Sequence, residues 1–302
     1  MSETAEITWN ILADDNQKEY RNEAFECNTT LALKHFHPRD IRIKFIEKTH
    51  KYVIDGSSEG YISTTALCGS HFSEFDENKS IKSMKISRQR PDHYAYQLSD
   101  DEIKEVWKQN RDDGTAMHDN IEKYMNLDMY DWQSKEFKMF QNFQRDYPYY
   151  RPYRTEWRVF CEKLKLAGSI DMVFMDMRTG KLVIADWKRT KFISMIGFCK
   201  CSKKRKLGKI DIIHDINTCE GFGKSEITKH LPDSNFYHYT IQLNIYRAIL
   251  KLNYNIVIDK LFLVVLHPNQ PDYAKMDIDI LEDVTKAMLH KRLLELKKNL
   301  GQ

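Results

Sequence analysis

Two short segments of the 302-residue chain contain residues whose types and spacing can do chemistry: Gly168-Ser169-Ile170-Asp171 and Asp186-Trp187-Lys188. Side chains alternate along a strand, so Asp186 and Lys188 must share one face while Trp187 takes the other. Leu182 and Ile184 lead up to that face. If Asp171 stands on the neighbouring strand of a hairpin, two carboxylates and an ammonium converge. Oxygen donors of this kind suit Mg²⁺ or Mn²⁺. Phosphodiester hydrolysis needs a nucleophilic hydroxide near neutral pH and positive charge against the phosphorane; a divalent ion between Asp171 and Asp186 supplies both, and Lys188 can orient the attacking water. Gly168 is expected where backbone must approach a ligand closely or turn sharply. An isolated Asp-x-Lys triplet is more often a surface ion pair, with Asp186 satisfied by Lys188 or Arg189. The complete string, with two hydrophobic strands between its ends, favours the site.

The elements that must position these groups are legible from periodicity. Apolar residues recur at helical spacing from 101 to 126, interrupted at Asp113-Gly114-Thr115, which predicts two helices with the second starting near Thr115. A further helix is expected over 133–146. The period then changes to that of strands over 154–160, 168–175 and 181–188, the last two joined by the turn Arg178-Thr179-Gly180. Asp233-Ser234 can cap a largely apolar helix over 235–252, followed by a buried strand over 261–266 and a closing amphipathic helix over 280–300. The order predicts an α/β core, with helices packed on a mixed β-sheet.

Residues 1–100 read as an N-terminal α+β extension before a core at 101–302, with a hairpin over 41–54 closed by Asp55-Gly56. This extension is expected to clamp nucleic acid, through Tyr61-Ile62-Ser63-Thr64-Thr65, Phe72 and Phe75, or simply to cover the core. The polar stretch over 75–100 reads as a linker or mobile arm, and 189–230 as an irregular, basic, Cys-containing loop.

The whole string resembles the PD-(D/E)xK nuclease superfamily, in particular its RecB-like exonuclease branch, and is closest in flavour to such enzymes of large DNA viruses and mobile elements. Gly114-Thr115-Ala116-Met117-His118-Asp119-Asn120-Ile121-Glu122 resembles the branch's upstream helix, whose histidine is a metal ligand. Gln242-Leu243-Asn244-Ile245-Tyr246 resembles its downstream Gln-x-x-x-Tyr helix, and Glu156 matches an acidic residue on the strand before Gly-x-x-Asp. The likeness covers roughly residues 101–270. It implies a restriction-endonuclease-like core and a Mg²⁺- or Mn²⁺-dependent deoxyribonuclease, an exonuclease or end-processing enzyme, with DNA as partner. The implied metal ligands are His118, Asp171, Asp186 and the backbone carbonyl of Trp187. Lys188 and Glu156 would act beside them, with Gln242, Tyr246, Gly168 and Arg189 bracing the site or the substrate. Read alone, His118 could equally be an i,i+4 partner of Glu122, and Gln242 with Tyr246 a hydrogen-bonded core pair. An RNA endonuclease of the cap-snatching type uses a similar histidine, carboxylate and lysine set and is the alternative activity. A nuclease fold kept as a non-catalytic nucleic-acid-binding module would show a missing ligand, and every expected position is filled.

Composition bounds the rest. Forty-seven Lys and Arg against forty-four Asp and Glu leave a net charge of +3, so a nucleic-acid surface must come from local clustering. The six cysteines, at 27, 68, 161, 199, 201 and 219, are scattered and read as reduced thiols. Cys199, Cys201, His214 and Cys219 lack regular zinc spacing, so incidental thiols in a loop are expected there. The iron–sulfur cluster of some relatives is not expected, because the terminal cysteine group is absent. The run from Lys200 to Lys209 is expected to be a solvated loop, with DNA contact or a nuclear signal as the other options. No apolar run is long enough for a membrane helix, and the acidic N-terminus lacks a signal-peptide pattern, so a cytoplasmic or nuclear protein is expected.

Overall fold

The computed structural model describes residues 29–191, 193–197 and 221–299. The basic run and Cys199, Cys201, His214 and Cys219 lie outside the described residues. Among the described residues the fold is α/β: a mixed six-stranded sheet flanked by helices, with a separate two-stranded antiparallel hairpin.

The hairpin pairs β1 (Ile43–Ile46) with β2 (Lys51–Ile54). In the main sheet the branching strand is β5 (Leu166–Asp176), which pairs antiparallel along one edge with β4 (Tyr150–Cys161). Its other edge is shared. Met172 to Asp176 pair antiparallel with β6 (Lys181–Lys188), whereas Leu166 and Ala167 pair in parallel with β3 (Ile62–Ser63). The last β5–β6 pair is Met172 with Ala185, so the two strands part at Asp171 and Asp186. Strand β6 continues the sheet through parallel β7 (Ile258–Val265) and the antiparallel edge strand β8 (Ala274–Ile278).

Alternation along the strands builds two cores. Val183, Ala185 and Trp187 of β6 with Phe262 and Val264 of β7 face α5 (Lys135–Asp146), where they meet Phe137, Phe140 and Phe143. Ile184, Leu261 and Leu263 face the opposite way, onto Ile241, Ile245 and Ile249 of α6 (Asn235–Asn253). Phe140 is fully buried, its ring edge-on to Trp187 at 5.4 Å, and truncating it to Ala would cost about 3–5 kcal/mol. Helix α6 starts where Ser234 accepts from the Tyr237 N–H, as its cap pattern predicts. The closing helix is α7 (Glu282–Asn299), and no helix among the described residues is long and apolar enough to cross a membrane.

Two features differ from the sequence reading. Instead of two helices, one helix, α4 (Asp100–Met125), runs straight through Gly114. It begins with a Ser99–Glu102 capping box, and Thr115 Oγ1 bonds back to the Arg111 carbonyl at 3.2 Å, so the Asp-Gly-Thr signal acts as a weak point and not as a break. The polar stretch over 75–100 is folded: α3 (Glu77–Ser83) packs Ile81 with Ala95 and Ile103 in a small core of its own. Packing also crosses residue 100. Ile43, Ile54, Leu67, Cys68 and Phe72 belong to the same core as α6, and α1 (Thr30–Lys34) and α2 (Thr64–Gly69) lie against β4 and α6. Phe72 and Thr64 are completely buried and so unavailable to clamp anything, whereas Phe75 is exposed with its edge toward Trp107.

Candidate metal centre at the parting of two strands

Three side chains from three elements meet where β5 leaves β6. His118 comes from α4, Glu156 from β4 and Asp171 from β5. The flanking pairs Thr155–Met172 and Trp157–Ile170 place Glu156 and Asp171 directly opposite each other. His118 Nδ1 stands 3.6 Å from Glu156 Oε1 and 3.5 Å from Asp171 Oδ2. One donor atom from each of the three lies within 4.8 Å of the others. These separations exceed good hydrogen bonds and are comparable to the spacing of ligands around one ion held at roughly 2.0–2.6 Å.

The supporting contacts fix this geometry. Asp171 Oδ2 accepts the Trp187 N–H at 2.9 Å, which satisfies a backbone donor left over where the ladder ends. Ser169 donates to Glu156 Oε2 at 2.9 Å and leaves Oε1 toward His118. Glu156 itself has φ 39°, a left-handed conformation that costs a non-glycine residue about 1–3 kcal/mol and clusters at functional sites. The local reason is visible. Arg154 and Trp157, three residues apart, both reach Asp40, which a regular strand would forbid, and the alternation slips at Glu156 between them.

Asp186 and Lys188 form the other half of the cluster. They do share a face, and Lys188 Nζ lies 2.5 Å from Asp186 Oδ2. Asp186 is only 2% exposed, so its charge is matched chiefly by that ammonium. Asp186 stands outside the three-residue metal group, although it and Asp171 interact electrostatically. Lys188 also lies over the Tyr239 ring at 4.6 Å.

The electrostatics mark the gap as a place for positive charge. Burial alone would lower the His118 imidazole, yet Asp171 and Glu156 outweigh it and push it up to about 9, with Lys188 opposing. Burial and then Asp171 raise the Asp186 carboxyl to about 6, against the pull of Lys188 and His118. Burial disfavours the Lys188 ammonium, but Asp186 and Asp171 hold it above its ordinary value. A donor set of one imidazole and two carboxylates fits Mn²⁺ or Mg²⁺, and a cation there would replace the proton on His118.

The bracing residues take more specific parts. Gly168 is needed for its lack of a side chain, not for a turn: a Cβ there would lie 2.6 Å from Tyr246 Cε1 and 2.9 Å from Thr64 Oγ1. Its close neighbour is therefore the Tyr246 ring and not a ligand. Gln242 Nε2 donates to the Tyr246 hydroxyl at 3.2 Å. Burial raises the Tyr246 phenol far above its usual value, with Tyr52, Asp171 and Asp186 adding to the shift. Arg189 pairs with Glu136 at 2.7 Å and Asp113 at 3.0 Å, tying the end of β6 to α5 and α4. Trp187 reaches the site through its N–H while its indole fills the core facing α5.

The site opens into a cleft of about 930 Å³ lined by His118, Glu156 and Ser169, by α4 residues including Gly114, and by Phe45 and Tyr52 of the hairpin. Sequence reasoning gave no site role to Ser169, Tyr239 or Tyr52. Ser169 lay inside the Gly-Ser-Ile-Asp string, but nothing in spacing ties a hairpin near residue 50 to a strand near 170. No protein-family model matches the chain, and no curated protein matches its sequence.

Proposed function

We propose that the chain is a divalent-metal-dependent nuclease of the PD-(D/E)xK superfamily, RecB-like branch, that hydrolyses phosphodiester bonds of DNA as an exonuclease or end-processing enzyme. The observation that carries this reading is the meeting of His118, Glu156 and Asp171 at the strand parting, with the buried Asp186–Lys188 pair beside them. His118, Glu156 and Asp171 hold Mg²⁺ or Mn²⁺, and Asp186 and the Trp187 carbonyl are the further donors the reading assigns. The bound ion supplies Lewis acidity and positive charge against the developing phosphorane. Lys188, kept protonated by Asp186, orients the attacking water and faces the phosphate with a charge. Ser169 holds Glu156, and Tyr246 with Gly168 sets the backbone from which Asp171 projects. Arg189 keeps the end of β6 against α4, so Lys188 and His118 stay in register.

The test is incubation of the full chain with end-labelled linear duplex, circular and single-stranded DNA and with matched RNA, in Mg²⁺, Mn²⁺ or chelator. Cleavage of DNA is expected with either ion and none with chelator. Asp186→Ala and Lys188→Ala should each abolish cleavage while far-UV circular dichroism keeps its native shape. Unimpaired cleavage by both variants, or none by the wild type with any ion, overturns the assignment. Cutting of RNA alone would move the substrate to RNA.

A further inference from the structure

Helix α6 lays two of its tyrosines along the site, and they serve different strands. Tyr239 and Tyr246 are seven residues, or two turns, apart, so they share one face of the helix. Tyr246 packs against Gly168 of β5, and its hydroxyl accepts from Gln242. Tyr239 lies on the β6 side, half-buried against the main core, with its ring centroid 4.6 Å from Lys188 Nζ. Its hydroxyl, unlike that of Tyr246, makes no hydrogen bond among the described residues. Burial raises the phenol, with Lys188 opposing and Asp186 adding to the shift, so the ring beside the ammonium stays neutral. The turn that carries Tyr239 is pinned on both sides. Asn235 Oδ1 accepts the Ser194 N–H at 2.8 Å, which ties the segment after β6 to the first turn of α6. His238 Nε2 lies 2.9 Å from Asp233 Oδ1, and its ring meets that of Phe72 at 4.2 Å.

Resting on the nuclease reading of the adjacent site, we infer that Tyr239 is a positioning residue whose ring face, and not its hydroxyl, aims the Lys188 ammonium at the reacting phosphate and water. An ammonium has three N–H donors and no acceptor. Asp186 Oδ2 takes one of them at 2.5 Å, and the Lys188 side chain is only 18% exposed. An oxygen acceptor in place of the ring would hold a second donor and turn it from the substrate. An aromatic face instead attracts the cation as a whole, through its quadrupole. The ring therefore fixes where the charge sits, while the donors not held by Asp186 stay available to water or a phosphate oxygen. An aliphatic side chain would fill the same space without that attraction, and the long Lys188 stem would regain rotamers. A ring serving the core alone predicts otherwise: its loss would lower stability and leave turnover per folded molecule untouched.

The experiment compares kcat and KM of the full chain on end-labelled DNA in Mg²⁺ for the wild type, Tyr239→Phe, Tyr239→Leu and Tyr239→Met, each expressed per folded molecule. In the same proteins the ε-methylene resonance of Lys188 is followed by NMR with isotope-labelled lysine, and is assigned with Lys188→Arg. Tyr239→Phe is expected to keep kcat and KM within about twofold and to leave the resonance where the ring current places it. Tyr239→Leu and Tyr239→Met should lower kcat about tenfold, hold KM within about twofold and move the resonance downfield. Unchanged kcat in both aliphatic variants, an equal loss in Tyr239→Phe, a loss confined to KM, or an unmoved resonance overturns the inference. It falls likewise if neither aliphatic variant folds while Tyr239→Phe is native, because the ring then serves the core. If the wild type cuts nothing while the resonance still moves in the aliphatic variants alone, the ring–ammonium contact stands and the nuclease reading fails. Wild-type cleavage that all three variants match gives the reverse.

Discussion

Strand β4 carries two charged clusters within a few residues of each other, and they are built to opposite rules. In the first, Asp40 accepts from Trp157 Nε1 at 2.8 Å through one oxygen, and from Arg154 Nη1 at 2.6 Å and the His37 N–H at 2.9 Å through the other. The Arg154 and Asp40 side chains are only 2% and 3% exposed. Each carboxylate oxygen is matched at hydrogen-bond distance, and the Arg154 guanidinium also lies against the Trp157 ring at 4.6 Å. In the second, His118 stands 3.5–3.6 Å from two carboxylates, beyond a good hydrogen bond to either. The first cluster is a closed pin that fixes the N-terminal segment to the sheet. The second holds its groups apart at a cleft. Burial of charge does not distinguish them; the presence of a gap does.

Removing one member should therefore move the two clusters in opposite directions. Asp171→Asn in the open cluster should lower metal-dependent cleavage by at least about a hundredfold. It should leave the melting temperature unchanged or slightly raised, because one of three crowded carboxylates is neutralised while an amide oxygen can still accept the Trp187 N–H. Asp40→Ala in the closed cluster leaves the Arg154 charge buried without its partner, and should cost about 3–5 kcal/mol in chemical denaturation. Cleavage per folded molecule should persist. An Asp40 variant of native stability, or an Asp171 variant that melts far below wild type, would erase the distinction.

Gly168 tests whether the open cluster is held open by packing. Gly168→Ala puts a methyl group 2.6–2.9 Å from Tyr246 and Thr64, so the ring or the strand must shift, at a cost of about 1–3 kcal/mol. Because the same strand carries Asp171 three residues on, turnover should fall more than the stability loss accounts for. Equal activity per folded molecule in the alanine variant would show that the Tyr246–Gly168 contact serves the core alone.

The two clusters also differ in how far they were readable beforehand. The open one left a trace in spacing, because the strand period forces Asp186 and Lys188 to one side and a short turn returns Asp171 beside them. Resemblance named His118 and Glu156, but not which carboxylates neighbour the imidazole. The trio is His118, Glu156 and Asp171, with Asp186 held against Lys188, since the choice depends on the slipped alternation at Glu156 and on where the β5–β6 ladder stops. The closed pin left no signal, because it joins residue 40 to residues 154 and 157 through tertiary contact alone. The β1–β2 hairpin was legible as a hairpin, with β1 and β2 close to their expected limits, but not its place beside the cleft, where it lies against β4 and against β3 on the sheet edge. Two residues of strand are too short a pattern to read.

Gly114 gives the smallest and most discriminating effect. Mid-helix glycine costs roughly 0.5–1 kcal/mol relative to alanine, and a Cβ at Gly114 would meet nothing within 4 Å. For folding alone alanine is the better residue, and Gly114→Ala should raise the melting temperature by a few degrees. Yet Gly114 lines the cleft, one helical turn from His118. If the cleft takes a nucleic-acid strand, the added methyl group occupies space the strand needs, and the variant should be more stable but slower, with the loss in KM and not in kcat. A variant that is more stable and fully active would show that glycine at 114 has no bearing on the cleft, and that the break in the sequence pattern there was a tolerated irregularity of α4.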